Sequence, residues 1–308
     1  YNLDVNGINP DGTLNNPTQR WGGIMRKLET TDFETANIEY IEFWMMDPFI
    51  YNNGTDKGGD LYFNLGDISE DILKDGKKFF EHGLPINGET GNTTTTNWGR
   101  IPSTQSTVTA FDNTPGARKY QDVGLNGLST EDEFKFPTYA DYVQNLRTKL
   151  TPATVTSMQA DPFSPLNDPA GDDYHFYRGS DYDEKELSIL QRYKRYNGTE
   201  GNSPATEDTK ETYSTSASLI PDMEDINSDN TLNEYEKYYQ YKVSLRPGSM
   251  NVGSNYITDV LETNVTLKNG KTEPVKWYQF KIPVREYNEK VGSIRNFKSI
   301  RFIRMFLT

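Results

Sequence analysis

Cysteine is absent from the 308-residue sequence, and histidine occurs only twice. Without thiols the chain can form neither disulfides nor zinc–thiolate sites, and calcium can replace such crosslinks in an exported protein. No segment approaches the roughly 18 consecutive apolar residues of a membrane-spanning helix, and the first residues do not form a signal peptide. We therefore expect no direct membrane span in this segment, and we expect both ends to continue into a longer protein.

Recognisable catalytic motifs are also missing. The sequence has no Gly-x-Ser-x-Gly nucleophile elbow, no His-Glu-x-x-His zinc motif and no phosphate-binding loop. Acidic residues are numerous enough to supply a carboxylate pair for glycoside cleavage, but nothing in the sequence selects one pair. We therefore predict that the protein is not an enzyme.

The charge balance is acidic, with 45 Asp and Glu against 32 Lys and Arg and a net charge of −13. Nucleic acid is excluded as a partner because phosphate binding needs a basic face, whereas an acidic surface is compatible with divalent cations. Apolar residues make up only 34% of the chain, yet aromatic residues reach 13%. This composition favours a β-rich protein with wide polar loops over a disordered chain.

Strand patterns occur in two groups that are separated by a polar region. We predict a mainly β fold, a jelly-roll-like β-sandwich whose first half is 1–111 and whose second half is 237–308. Between the halves, 112–236 is rich in Pro, Gly, Asn and Asp, and we predict a long irregular, partly helical insertion that carries EF-hand-like calcium loops. The pattern also predicts helices over 139–150 and 183–196 within the insertion. A short amphipathic helix is expected over 68–81.

The segment 225–236 has the spacing of a calcium loop, with oxygen ligands at positions 1, 3, 5, 7, 9 and 12. Position 6 requires a left-handed backbone and holds Asn230, a residue type that tolerates this conformation. No helix leads into the loop and a strand pattern follows it, so we predict a structural ion and not a sensor. The alternative is a solvated acidic turn. The predicted Ca²⁺ ligands are Asp225, Asn227, Asp229, the backbone carbonyl of Thr231, Asn233 and Glu236.

A weaker second loop occupies 122–133, with Asp122, Asn126 and Glu133 at positions 1, 5 and 12. Gly124 at position 3 offers no side-chain ligand. Ser129 is also placed to cap a helix start, which is the alternative interpretation of these residues. The two interpretations are compatible, because calcium loops often end where a helix begins.

Exposed tryptophans would indicate a sugar-binding surface. Trp98 lies beside a threonine-rich loop and is the candidate for stacking on a glycan, whereas Trp44 and Trp277 lie inside strand patterns and are expected in the core. The alternative function is therefore a cell-surface carbohydrate-binding module with a jelly-roll fold.

Five runs of the sequence match one family when they are read together. They are RWGGIMR (20–26), NIEYIEFW (37–44), GDISEDIL (66–73), YRGSDY (177–182) and PDMEDIN (221–227). The chain resembles the SprA/Sov family, the outer-membrane translocon of the type IX secretion system and of gliding motility in Bacteroidetes. The resemblance covers nearly the whole chain.

This resemblance implies part of a very large β-barrel protein that exports folded cargo across the outer membrane. It implies as partners a shuttle barrel protein, a periplasmic plug, other translocon subunits and secreted cargo proteins. The present chain lacks the repeated lipid-facing alternation of a barrel. We therefore expect a cap or large loop outside the membrane plane, at the outer membrane or cell surface, with the extracellular side favoured over the periplasmic side. The resemblance implies no catalytic residue.

Overall fold

The fold is mainly β, with antiparallel sheets, and its chain divides into two compact units. The first unit comprises Tyr1–Asn16 and Ser69–Glu234, and the second comprises Pro17–Ile68 and Tyr235–Thr308. The structure is a computed structural model, and it describes residues 3–50, 54–73, 76, 84–104, 111–112, 114–198, 202–204, 224–267 and 269–308.

Ten β-strands lie in the described residues, and all their pairings are antiparallel. The strands are β1 (Gly22–Lys27), β2 (Tyr40–Met46), β3 (Gly59–Asp67), β4 (Thr93–Thr95), β5 (Arg100–Pro102), β6 (Lys237–Leu245), β7 (Ile257–Thr266), β8 (Thr272–Pro283), β9 (Glu289–Val291) and β10 (Phe302–Leu307). Eight of them belong to the second unit, where one sheet has the order β1-β10-β3-β6-β9 and the other has the order β2-β8-β7.

The two sheets of the second unit share one hydrophobic core. Side chains of successive strand residues point to opposite faces, so every second residue of a strand can enter this core. Phe43 of β2 stacks on Phe280 of β8 with 4.8 Å between ring centroids. The same ring lies 5.2 Å from Phe63 of β3 in the other sheet. The sheets therefore pack face to face. The jelly-roll-like connectivity and the division at 112 and 236 stay predictions.

Trp44 does not lie in this core, and the expectation that it would is wrong. Its side chain is 43% exposed on β2. Phe43 and Met45, its neighbours along the strand, pack toward the core, so the alternation of the strand turns Trp44 outward. Trp277 is opposite Met46 in the β2–β8 pairing and is only partly buried.

The described part of the first unit contains six short α-helices, one 3₁₀ helix (Val5–Gly7) and the β4–β5 hairpin. The prediction of a helix over 139–150 is confirmed by α3, which begins with Pro137, a residue suited to a first helical turn. Tyr142 and Leu146 of this helix join a small hydrophobic cluster with Leu166. The helices are α1 (Arg118–Gln121), α2 (Thr130–Glu133), α3 (Pro137–Lys149), α4 (Pro152–Gln159), α5 (Ser180–Glu184) and α6 (Ile189–Tyr193).

Of the other two helix predictions, the one over 183–196 is partly right and the one over 68–81 is wrong for the residues that the structure describes. The single helix expected over 183–196 is split, because Ser188 forms a capping box with Gln191 and starts α6 afresh. A helix was also expected over 68–81. Of this segment the structure describes 68–73 and Gly76, and these residues form no helix. The rest of the segment lies outside the described residues. The backbone N–H of Glu70 instead donates to the carbonyl of Asn233, at 2.7 Å.

Candidate metal centre

The first residues of the predicted calcium loop form a closed turn inside the first unit. The Asp225 carboxylate is buried, and its two oxygens accept the N–H groups of Asp229 at 3.0 Å and Asn230 at 3.2 Å. Asn230 adopts a φ of +65°, the left-handed backbone that position 6 requires. The Asn227 side-chain oxygen accepts the Asp229 N–H at 2.9 Å. The Asn227 amide also donates to the Asp229 carboxylate at 2.9 Å, so the side chains predicted at positions 3 and 5 are in contact. Asp225 at position 1 binds the backbone of position 5.

The later residues of the loop are held in two different ways. Thr231 donates its N–H to an Asp229 carboxylate oxygen at 3.0 Å and its hydroxyl to the same oxygen at 2.6 Å. Glu236 belongs to the second unit, where its carboxylate receives two hydrogen bonds from Arg304, at 2.9 and 3.1 Å. The assignment of Thr231, Asn233 and Glu236 as ligands stays a prediction.

Glu70 is a buried carboxylate at this loop that the sequence analysis missed. Its oxygens accept the N–H of Asn227 at 3.3 Å and the N–H of Asn233 at 3.2 Å. Burial raises the pKa of Glu70 to about 7, and the negative charge of Asp225 contributes in the same direction. No sequence signal links Glu70 to a loop more than 150 residues later, because the contact exists only in the folded chain.

The residues of the weaker second loop separate into two groups. Asn126 donates its amide to Glu133 at 2.7 Å, so the structure brings these two predicted residues together. Asp122 instead pairs with Arg118 at 3.2 Å and accepts a hydrogen bond from the Ser203 hydroxyl. Burial raises the pKa of Asp122 to about 6, although the Ser203 bond and the Arg118 charge oppose this rise.

Glu133 also belongs to a buried carboxylate cluster that the sequence analysis did not assemble. Its carboxylate oxygen and those of Asp168 and Asp172 lie within 4.8 Å of one another, and all three residues are buried. Among the described residues this is the one group of three acidic side chains with metal-compatible spacing. Burial raises the pKa of Glu133 to about 7, with the charges of Asp168 and Asp173 acting in the same direction.

The cluster is held in place by backbone donors. The second Glu133 oxygen accepts the Ala170 N–H at 3.1 Å, and Asp172 accepts the Leu125 N–H at 3.0 Å. One Asp168 oxygen accepts the Gly171 N–H at 2.8 Å. Carboxylate and amide oxygens are the ligands that Ca²⁺ prefers. Glu133, Asp168 and Asp172 are therefore chemically suited to a hard divalent cation. Asn126 turns its amide N–H₂ toward Glu133, and its oxygen accepts the Leu128 N–H.

Trp98, the predicted sugar-stacking residue, is partly buried beside α3. Its backbone carbonyl accepts the Tyr139 hydroxyl at 2.6 Å, and its N–H donates to the Thr96 hydroxyl at 3.1 Å. Its role in ligand binding stays a prediction. More exposed tryptophans occur in the second unit, where Trp21 is 72% exposed and Trp44 is 43% exposed.

Together these features define a mainly β protein with buried, oxygen-rich carboxylate sites on loops. A family model described as a motility-related/secretion protein matches residues 141–308, which is more than half of the chain. The chain belongs to this SprA N-terminal family of motility-related and secretion proteins. No curated protein matches the sequence. In the described part of the chain, no helix combines the length and apolar character needed to cross a membrane.

Proposed function

We propose that the chain is a non-enzymatic cap or large loop of the outer-membrane translocon of the type IX secretion system. Membership of the motility and secretion family is the observation that carries this proposal. The partners would be the shuttle barrel protein, the periplasmic plug and secreted cargo proteins. The segment would lie at the outer membrane or cell surface, on the extracellular side in preference to the periplasmic side.

An in-frame deletion of these 308 residues from the gene of the longer parent protein would test this role. We expect cargo to accumulate in the periplasm and gliding to stop while the shortened protein still reaches the outer membrane. Immunoblotting of outer-membrane fractions provides the control for protein level. Normal cargo secretion and gliding without the segment would refute the proposal.

The second part of the proposed function is structural bracing by Ca²⁺. The ions would bind at the 225–236 loop and at the cluster of Glu133, Asp168 and Asp172. The support is the ligand spacing of the loop, the left-handed Asn230 and the burial of several carboxylates that otherwise carry a desolvation cost. The brace would hold polar loops rigid in a chain that has no disulfide.

Calorimetric titration with Ca²⁺ and thermal melting in EDTA test the brace. Free Ca²⁺ at a hundredfold excess over Kd stabilises a one-site protein by about 2.7 kcal/mol. We therefore expect binding heat and a melting temperature several degrees higher in Ca²⁺ than in EDTA. An absence of heat together with identical melting curves would exclude the ion.

Carbohydrate binding is the alternative function, and the outward-facing residues of β2 favour it over a purely structural surface. Tyr40 and Trp44 are 42% and 43% exposed on this strand, and the partly exposed Trp277 lies on the adjacent strand β8. Aromatic rings can stack on the apolar faces of sugar rings. A glycan array with this protein and with Trp44→Ala would show hits that depend on Trp44. An array without hits would remove this alternative.

A further inference from the structure

Glu70 connects the two halves of the predicted calcium loop. One carboxylate oxygen accepts the N–H of Asn227 at position 3, and the other accepts the N–H of Asn233 at position 9. The backbone N–H of Glu70 also donates to the carbonyl of Asn233. These three hydrogen bonds fix two positions of the loop against one residue, and all the participating residues belong to the first unit.

Glu70 and Asp225 are two buried carboxylates at the same loop. Their side chains are 1% and 4% exposed. Glu70 accepts the backbone N–H groups of Asn227 and Asn233, and Asp225 accepts those of Asp229 and Asn230. Ionised carboxylates that are buried together are costly unless a cation neutralises them. A divalent ion in the loop would supply that neutralising charge.

Glu236, the residue that the spacing places at position 12, is already engaged. Both of its oxygens accept hydrogen bonds from the guanidinium of Arg304, in a bidentate pair. Such pairs are geometrically specific and among the stronger charged hydrogen bonds. Releasing Glu236 for an ion would break this pair, whereas Glu70 already points at the loop.

We propose that Glu70, and not Glu236, is the carboxylate on which Ca²⁺ binding at this loop depends. It acts as a positioning residue that clamps positions 3 and 9 and adds a second buried negative charge beside Asp225. This inference rests on the proposed binding of Ca²⁺ at this loop. Glu70 precedes the loop by more than 150 positions in the chain. Its contacts therefore connect the first and last residues of the longer segment of the first unit, Ser69–Glu234.

Calorimetric titration of Ca²⁺ into the 308-residue chain and four variants tests the assignment. The binding heat that is lost in Asp225→Asn is the heat of Ca²⁺ binding at this loop. Glu70→Gln and Glu236→Gln compare the two candidate carboxylates. Glu89→Gln is the matched control, because Glu89 is an exposed glutamate of the same unit. Melting curves in EDTA and in Ca²⁺ are recorded for each variant.

The expected result is a loss of about 10- to 100-fold in affinity for Glu70→Gln, the range typical of residues that orient metal ligands. Glu236→Gln and Glu89→Gln should bind as the unchanged protein does. The Ca²⁺-dependent rise in melting temperature should shrink only for Glu70→Gln and Asp225→Asn. A purely structural clamp would instead lower the melting temperature of Glu70→Gln equally in EDTA and in Ca²⁺.

The other outcomes overturn the inference in distinguishable ways. If the unchanged protein binds Ca²⁺ and Glu70→Gln binds it equally well, the assignment of Glu70 is wrong while the calcium proposal stands. The same conclusion follows if Glu236→Gln is the variant that loses affinity. If the unchanged protein shows no binding heat, or shows the same heat as Asp225→Asn, Ca²⁺ does not bind at this loop. The calcium loop is then refuted, and Glu70 has no ion to position.

Discussion

Raising the pH in the absence of calcium should destabilise the first unit, because its buried carboxylates must ionise without a cation. Burial raises the pKa values of Glu70 and Glu133 from 4.5 to about 7. A group whose pKa is raised on folding stabilises the protein fully below its unfolded pKa, and this stabilisation is lost as the pH rises through the folded pKa. The loss should therefore occur between about pH 4.5 and pH 7.

The size of this effect follows from the pKa difference. Each tenfold change in proton affinity is worth about 1.4 kcal/mol, so a rise in pKa from 4.5 to about 7 corresponds to about 3 kcal/mol for Glu70. Glu133 acts in the same direction, because burial and the charge of Asp168 both raise its pKa. Both side chains are 1% exposed, so solvent screening does not reduce this figure substantially. Stability in EDTA should fall by up to about 1.4 kcal/mol per pH unit for each group in this window and then level off above pH 7.

Calcium should reverse the trend, because an ion binds the ionised carboxylates and not the protonated ones. The assay is urea unfolding followed by circular dichroism at several values between pH 5 and pH 8, in EDTA and in excess Ca²⁺. The difference between the two curves should widen with pH. Glu133→Gln should flatten the EDTA curve, whereas the exposed control Glu89→Gln should not. Parallel curves in EDTA and Ca²⁺, or stability in EDTA that rises from pH 5 to pH 7, would refute the reasoning.

Three further predictions concern the packing and the loop. Phe280→Ala should cost about 3–5 kcal/mol of unfolding free energy in urea, because Phe280 is fully buried in the core. Trp44→Ala should cost less than about 1 kcal/mol, because Trp44 faces outward. Equal losses would contradict the outward position of Trp44. Tyr241→Phe should lower the free energy of unfolding by about 1–3 kcal/mol in the same assay, because the Tyr241 hydroxyl donates to the buried Val284 carbonyl at 2.5 Å. An unchanged urea midpoint would contradict this bond. Asn230→Gly should preserve both the melting temperature and Ca²⁺ binding, since glycine adopts a φ of +65° without strain. Loss of binding would mean that Ca²⁺ binding needs the side chain of Asn230.

Local patterns in the sequence were sufficient to locate several elements. The strand patterns include the alternation around Phe43 within 38–50, where β2 lies, and the run at 59–65, where β3 lies. Such patterns survive because one face of each strand packs against the core. The same alternation also determines that Trp44 faces outward, whereas its place inside a strand pattern led to the expectation that it lies in the core. The parity of a residue within the strand predicts its burial better than membership of the strand does.

Tertiary contacts account for what the sequence could not predict. Residues 68–73 have a helix-like pattern, yet the Glu70 backbone pairs with Asn233 and its side chain binds the loop. Likewise, Asp168 and Asp172 lie more than 30 positions after Glu133 and meet it only in the folded chain. A calcium-loop motif assumes that ligands are consecutive in sequence. It therefore cannot find ligands that come from another segment.

The distribution of apolar contacts explains why cations would matter most in the first unit. The second unit has an extensive core between two sheets, with Phe63, Tyr241 and Phe280 among its buried members. The largest described cluster of the first unit instead centres on a few residues of α3, including Tyr142 and Leu146. The 225–236 loop contains no buried apolar side chain, so polar contacts must order it, and each such contact contributes only about 0.5–1.5 kcal/mol. A divalent ion joins several oxygen ligands at once, so it can order this loop where neither a large core nor a disulfide does.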